Sequence, residues 1–135
     1  MGLVMVQTER DSTMALNIVD TLERQTAKKT IEVARGAFGL NYVDIASALD
    51  IDRRTLLRYR NLLNTPVPEV RNRLEALRQI TFLLNEIFTS REDGLRWLYE
   101  PVPLLQGRRP VDLIRKGELN EVLSILAGVY SGSHF

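Results

Sequence analysis

Residues 42–61 read YVDIASALDIDRRTLLRYRN, and the fold follows from how this stretch divides. Ile45 and Leu49 share one face of a first helix, and small Ala46 falls where a second helix must come close. Asp50 occupies the turn, and apolar Ile51 follows it. In the second helix Leu56 and Tyr59 sit three apart and face back toward Ile45 and Leu49, while the outward positions are mostly arginine. Apolar residues on one face and guanidinium groups on the other predict a helix-turn-helix whose second helix can read DNA. Arg53, Arg54 and Thr55 stand at the helix entrance, where base edges are met, and Arg58 lies one turn further along the same face. Arg60 and the pair Lys28-Lys29 are placed for phosphates or for water. Asp52 reads as the cap of this helix. The competing reading is a plain three-helix core whose arginines only solvate an exposed face, because the same geometry occurs in domains that bind nothing.

Outward from this stretch the pattern is helical throughout, and an all-α fold is expected. Residues 1–12 read as frayed or as a short extended arm. Ser12 or Thr13 is a candidate cap for a helix to about Gln25, with Leu16, Val19 and Leu22 at helical spacing. A second helix, Ala27 to Phe38, carries Ile31, Ala34 and Phe38 inward and stops at Gly39. Asn41 caps the helix from Tyr42. After about Leu63 comes Asn64-Thr65-Pro66-Val67-Pro68, a stiff connector and the best boundary in the chain. It divides the chain into residues 1–64, with the helix-turn-helix, and residues 65–135.

Pro68 fits the first turn of a long helix with Val70, Leu74, Leu77, Ile80, Leu84 and Ile87 on one stripe. Phe82, Leu83 and Phe88 widen that apolar face. Ser90 caps a further helix, with Asp93 completing an imperfect capping box and Leu95, Trp97 and Leu98 facing inward. Trp97 is read as core, not as a stacking platform. Pro101 and Pro103 open an irregular loop from Val102 to Arg109. Pro110 restarts a short helix, Gly117 breaks it, and a last helix from Glu118 to about Val129 carries Leu119, Val122, Leu123 and Leu126.

Composition bounds the chemistry. The 135 residues suit one domain, or two small helical lobes sharing a core. Net charge is only +1, so contact with nucleic acid must use a local patch. From Glu23 to Asn64 eight basic residues face five acidic ones, a modest footprint better suited to a dimer than to a lone domain. There is no cysteine, which removes disulfides, thiolate catalysis and cysteine zinc sites and fits a reducing cytoplasm. The one histidine, His134, nearly excludes a histidine base or a multi-histidine metal centre. No cofactor is expected. No apolar run approaches a membrane span. An enzyme would need a carboxylate pair such as Glu92 and Asp93, but neighbours on a helix point apart. The Gly107-Arg108-Arg109-Pro110 turn has one glycine, too few for a phosphate loop, and reads as a surface turn.

The second half carries a more specific pattern: Trp97-Leu98, then Pro101 and Pro103, Leu105, Gly107, Pro110, Asp112-Leu113, Gly117, Val122, Leu126 and Gly128, preceded by Phe88 and Ser90. In order and spacing it resembles the C-terminal toxin-binding domain of the Xre/ParS/MbcA antitoxins, partners of RES-domain toxins. The helix-turn-helix half is similar to that family's Xre-like N-terminal domain, so the resemblance covers roughly residues 28–130. Where the family commonly has Leu-Gly-Gly, this chain has Leu105-Gln106-Gly107, and its segment Ile114-Arg115-Lys116 before the later glycine is somewhat shorter.

The resemblance implies an antitoxin that is not an enzyme. It would close the NAD pocket of a cognate RES-domain toxin by direct contact and, with that toxin, bind the operator DNA of its own operon. The implied contact surface is the Gly107 to Leu113 turn (Gly107, Arg108, Arg109, Pro110, Asp112 and Leu113), the last helix and the tail after Gly128. Arg108 and Arg109 could pair with acidic groups of the pocket or fill the place of phosphates, and Tyr130 and Phe135 are candidate apolar anchors. A homodimer would set two recognition helices about one DNA turn apart. The helix around Leu16, Val19 and Leu22 and the long helix from Glu69 are the two candidate pairing surfaces. The alternative function is a stand-alone repressor whose second half only dimerises.

Overall fold

The structure, a computed structural model, describes the backbone of residues 2–132 and the side chains of residues 12–132. Seven α-helices follow in order: α1 Gly2–Phe38, α2 Tyr42–Ala48, α3 Arg53–Arg60, α4 Pro68–Ile87, α5 Arg91–Tyr99, α6 Pro110–Arg115 and α7 Leu119–Ser131. A single 3-10 turn, Pro103–Leu105, lies between α5 and α6. No strand forms among the described residues, and the one β-bridge joins Val102 to Arg108.

The largest departure from the sequence expectation is α1. Residues expected as a frayed arm, a capped helix and a second helix form one helix of 37 residues, roughly 55 Å long at 1.5 Å per residue. Ser12 and Thr13 lie inside it rather than at its start. Serine and threonine are good caps only where the chain enters the helix; inside one, the hydroxyl can turn back on the preceding turn. Thr21 does this, donating to the Asn17 carbonyl at 2.8 Å. No proline and no glycine interrupts residues 3–35, so nothing stops propagation.

The other boundaries follow local chemistry. Asn41, Asp52 and Ser90 each accept a hydrogen bond from the backbone N–H three residues on, capping α2, α3 and α5. Helices α1, α2, α3 and α6 end alike: a residue at positive φ (Gly39, Asp50, Leu62, Gly117) turns the chain, and the next N–H reaches back five residues to a helix carbonyl. Asp tolerates the left-handed region better than most residues; Leu62 is the unusual one. Its carbonyl and Thr65 Oγ1 accept from Arg24 of α1, at 3.4 and 2.8 Å, which fixes the connector against that helix.

Among the described residues, one hydrophobic core is shared by all seven helices. Ala27, Ile31, Ala34 and Phe38 of α1 enter it, as do Ile45, Leu49, Leu56 and Tyr59 of the α2–α3 pair. The stripe on α4 is buried between α1 on one side and α7 on the other. Each such side chain contributes roughly 1.5–3 kcal/mol by leaving water. Leu83 joins the core and Phe88 is half-buried against Trp97, but Phe82, expected on the apolar face, is exposed.

The N-terminal and C-terminal parts interlock beyond the shared core. Arg115 of α6 pairs with Asp44 of α2 at 3.6 Å, and Ser47 donates to the Arg115 carbonyl. Gly117 is pressed against α2: a Cβ there would stand 3.2 Å from the Ala48 carbonyl oxygen, at a φ of +78°. Only glycine satisfies both conditions.

Candidate functional site

The loop from Pro101 to Arg109 is a framed structure. The Val102 N–H donates to Arg108 O at 3.1 Å, and the Gly107 N–H donates back to Val102 O at 3.0 Å. Two residues in the left-handed region, Gln106 (φ 59°) and Gly107 (φ 77°), make the reversal. Leu105 points into the core while its neighbour Leu104 is 61% exposed, so the loop presents Leu104 to solvent beside the exposed Pro101 and Pro103. The Arg108 guanidinium clasps the loop from outside, donating to Leu105 O at 2.9 Å and to Glu121 of α7 at 2.7 Å, with Glu118 at 3.7 Å. Arg109 makes a two-pronged pair with Asp112, at 2.8 and 2.9 Å, and Arg115 adds a third donor at 3.3 Å. The Arg109 hydrogen bonds are the main reason the Asp112 carboxyl is held below the usual carboxylate range.

The implied contact residues thus fall into different situations. Gly107 is exposed, and Arg108, Arg109 and Asp112 are half-exposed with their charges matched within the chain. Pro110 is buried and Leu113 is 1% exposed, so in the free chain neither presents a surface and their place is in the core. Tyr130 is 54% exposed near the end of α7 and meets Phe82 edge-on at 6.5 Å. Phe135 lies outside the described residues.

The α3 surface divides too. Arg53, Arg54 and Arg58 are exposed and form no salt bridge with any described residue. Thr55 is half-buried, its N–H donating to Asp52 at 2.7 Å; hydrogen bonding from the Thr55 side chain first, and from this N–H second, holds the Asp52 carboxyl below the usual carboxylate range. Arg60 is set apart. It pairs with Glu32 of α1 at 3.4 Å and lies over the Tyr42 ring at 4.9 Å, with Arg35 over the same ring at 4.7 Å. The Tyr42 hydroxyl donates to Glu32 at 2.7 Å, and this bond is the main cause of its raised pKa. Among the described residues no group of three or more His, Cys, Asp and Glu side chains could hold a metal ion, and no helix is long and apolar enough to cross a membrane.

Comparison with known proteins bears on the C-terminal surface first. Residues 83–132 match the antitoxin Xre/MbcA/ParS C-terminal toxin-binding domain. Over 114 residues, 84% of this chain and 96% of that protein, the sequence is 32% identical to the probable mycobacterial cidal antitoxin Rv3188 of Mycobacterium tuberculosis. The chain belongs to the Xre/MbcA/ParS antitoxins. It is also 28% identical to the mycobacterial cidal antitoxin MbcA of the same species over 76% of this chain and 90% of that one. Its fold is similar to a chain in the crystal structure of the M. tuberculosis MbcT-MbcA toxin-antitoxin complex, with TM-score 0.57, 28% identity, and 78% and 94% of the two chains covered.

The exposure of Leu104 and the left-handed backbone at Gln106 in this antitoxin are not legible in the sequence. Two adjacent leucines, Leu104 and Leu105, give no sign of which one faces out; the 3-10 turn decides that. Gln106 stands at the middle of the Leu105-Gln106-Gly107 departure from the family's Leu-Gly-Gly, and it keeps the left-handed backbone that a glycine would favour. That conformation costs a side-chain-bearing residue about 1–2 kcal/mol, against which glycine's greater freedom in the unfolded chain costs roughly 0.5–1 kcal/mol. Gln106→Gly is therefore expected to stabilise the fold by about 0.5 kcal/mol, read from urea unfolding midpoints; clear destabilisation would mean that the glutamine side chain contributes a contact of its own.

Proposed function

We propose that this antitoxin neutralises a cognate NAD-consuming RES-domain toxin by covering its active site, and that with its α3 helix it represses its own operon in the cytoplasm. The observation that carries the reading is that the match to the family's toxin-binding domain, residues 83–132, runs from the end of α4 through α5 and takes in the framed loop, α6 and α7. A relative 28% identical over most of both chains is crystallised in a toxin-antitoxin complex, which supports direct contact as the mode of action. The chain acts by occupying space, with no turnover of its own. Leu104, Gly107 and Tyr130 are the exposed features for that contact; Arg108 and Arg109 hold the loop in shape and can re-pair across the interface.

The repressor role rests on α3. Three exposed arginines that form no ion pair among the described residues, on an eight-residue capped helix, are what a recognition helix offers to guanine edges and phosphates. A pseudo-palindromic operator would be met by a dimer. Co-expression with the neighbouring reading frame, followed by affinity capture and an NAD-consumption assay, tests the first role. A stable complex with suppressed NAD loss is expected. Tight promoter binding without any complex would instead make the chain a stand-alone repressor.

A further inference from the structure

Among the described residues, the part of α1 before Ala27 gives no side chain to the core, and Glu23 is tied to α4 through Arg71 at 3.3 Å. The helix reaches the connector at Arg24 and enters the core only from Ala27 on. Before that point Met14, Leu16, Ile18, Val19 and Leu22 are all exposed. Helices that stand alone in water are marginal even with favourable composition, and a row of large exposed apolar side chains marks an interface.

Ala15, Val19, Leu22, Thr26, Thr30 and Val33 recur at steps of four and three along one side of α1, the spacing by which two helices pair. From Val19 onward this stripe is also the wall of a trough. Three adjoining hollows of about 250, 520 and 210 Å³ run between α1 and α4 and on toward α5, sharing Thr26, Thr30, Val33 and Thr81 as lining residues. Leu74 and the exposed Phe82 form part of the opposite wall.

We infer that the occupant of this trough is the projecting half of α1 from a second copy of the chain, laid antiparallel. The residues before Arg24 span roughly 33 Å and the trough from Val19 to Ala37 roughly 27 Å, at 1.5 Å per residue. The projecting half cannot fold back into its own trough, because it continues without a break into the helix that forms the wall. A two-fold axis crossing near Arg24 covers both exposed halves and both troughs at once; the patch is self-complementary, as a dimer of identical chains requires. The exposed side of α1 and the facing wall of α4 form one continuous surface for such pairing.

This surface rests on the dimer put forward for operator binding, and the two fail differently. Sedimentation equilibrium of the full chain from about 1 to 100 µM should give twice the chain mass. Val19→Asp with Leu22→Asp, or Phe82→Arg alone, should weaken pairing roughly 100-fold or more, since each places a charge in a desolvated seam. Leu104→Asp, away from the trough, should remain dimeric. Circular dichroism melts show whether a variant still folds; if the double variant unfolds, Phe82→Arg decides. A monomeric wild type overturns both pairing and surface, whereas a dimer untouched by the seam variants overturns the surface alone. The chain has no cysteine, so orientation is open to cross-linking: Ala15→Cys chains should form disulfides with Val33→Cys chains, and Ala15→Cys bridging to itself would overturn the antiparallel order.

Discussion

Replacing both Arg54 and Arg58 by alanine is expected to weaken operator binding by roughly 2–6 kcal/mol, about 30-fold to 10⁴-fold, because each bidentate arginine–guanine pair is worth about 1–3 kcal/mol. Both side chains are exposed on α3, one turn apart, and neither forms a salt bridge with a described residue. Their loss should leave the fold intact, since α3 is held from its other face by Leu56 and Tyr59 and at its start by Asp52. Arg60→Ala is the instructive contrast. Its guanidinium is already shared between Glu32 and the Tyr42 ring, so removing it should loosen the α1–α2–α3 junction more than it weakens DNA binding. Gel shifts at two salt concentrations separate these cases. Loss of a base contact lowers affinity for the operator above that for random DNA, while loss of a phosphate contact lowers both and flattens the salt dependence. Equal affinity of wild type and double variant for the operator would return α3 to a solvated face of a three-helix core.

The parts of the fold legible in the sequence are those decided within a few residues. Asn41, Asp52 and Ser90 cap as expected because a cap involves only the N–H three positions on. Pro68 and Pro110 open helices and Gly39 and Gly117 end them for reasons equally local. Two features needed the tertiary structure. The continuity of α1 depends on whether Ser12 and Thr13 lie inside a helix or at its start, and their own chemistry permits both. The burial of Pro110 and Leu113, expected at a contact surface, is set by how α6 packs under the loop and against α5 and α7. The same distance from local rules hides the cluster in which Arg60 joins Glu32, Arg35 and Tyr42 where α1, α2 and α3 converge. The sequence sets Arg60 apart for phosphates or water; the geometry gives it Glu32 and the Tyr42 ring instead.

Tyr130→Asp is expected to weaken capture of the toxin by about 2–4 kcal/mol, roughly 30-fold to 10³-fold, the range of an aromatic anchor lost from the centre of an interface. The tyrosine is more than half exposed near the end of α7, within the family's toxin-binding domain, and its ring already has an edge-on partner in Phe82, so it is presented in a fixed direction at little entropic cost. A carboxylate there would have to be desolvated without a counter-charge supplied by this chain. Arg109→Ala should cost less, because its charge is matched by Asp112 before any partner arrives. Its removal frees Asp112 but leaves Arg115 beside it at 3.3 Å. Phe82 also lines the α1–α4 trough, so the oligomeric state of Tyr130→Asp has to be measured beside its toxin affinity. A variant that still pairs with its own kind but releases the toxin places the anchor on the toxin side. A variant that keeps the toxin at wild-type affinity while Arg109→Ala loses it would move recognition from the end of α7 to the charged loop.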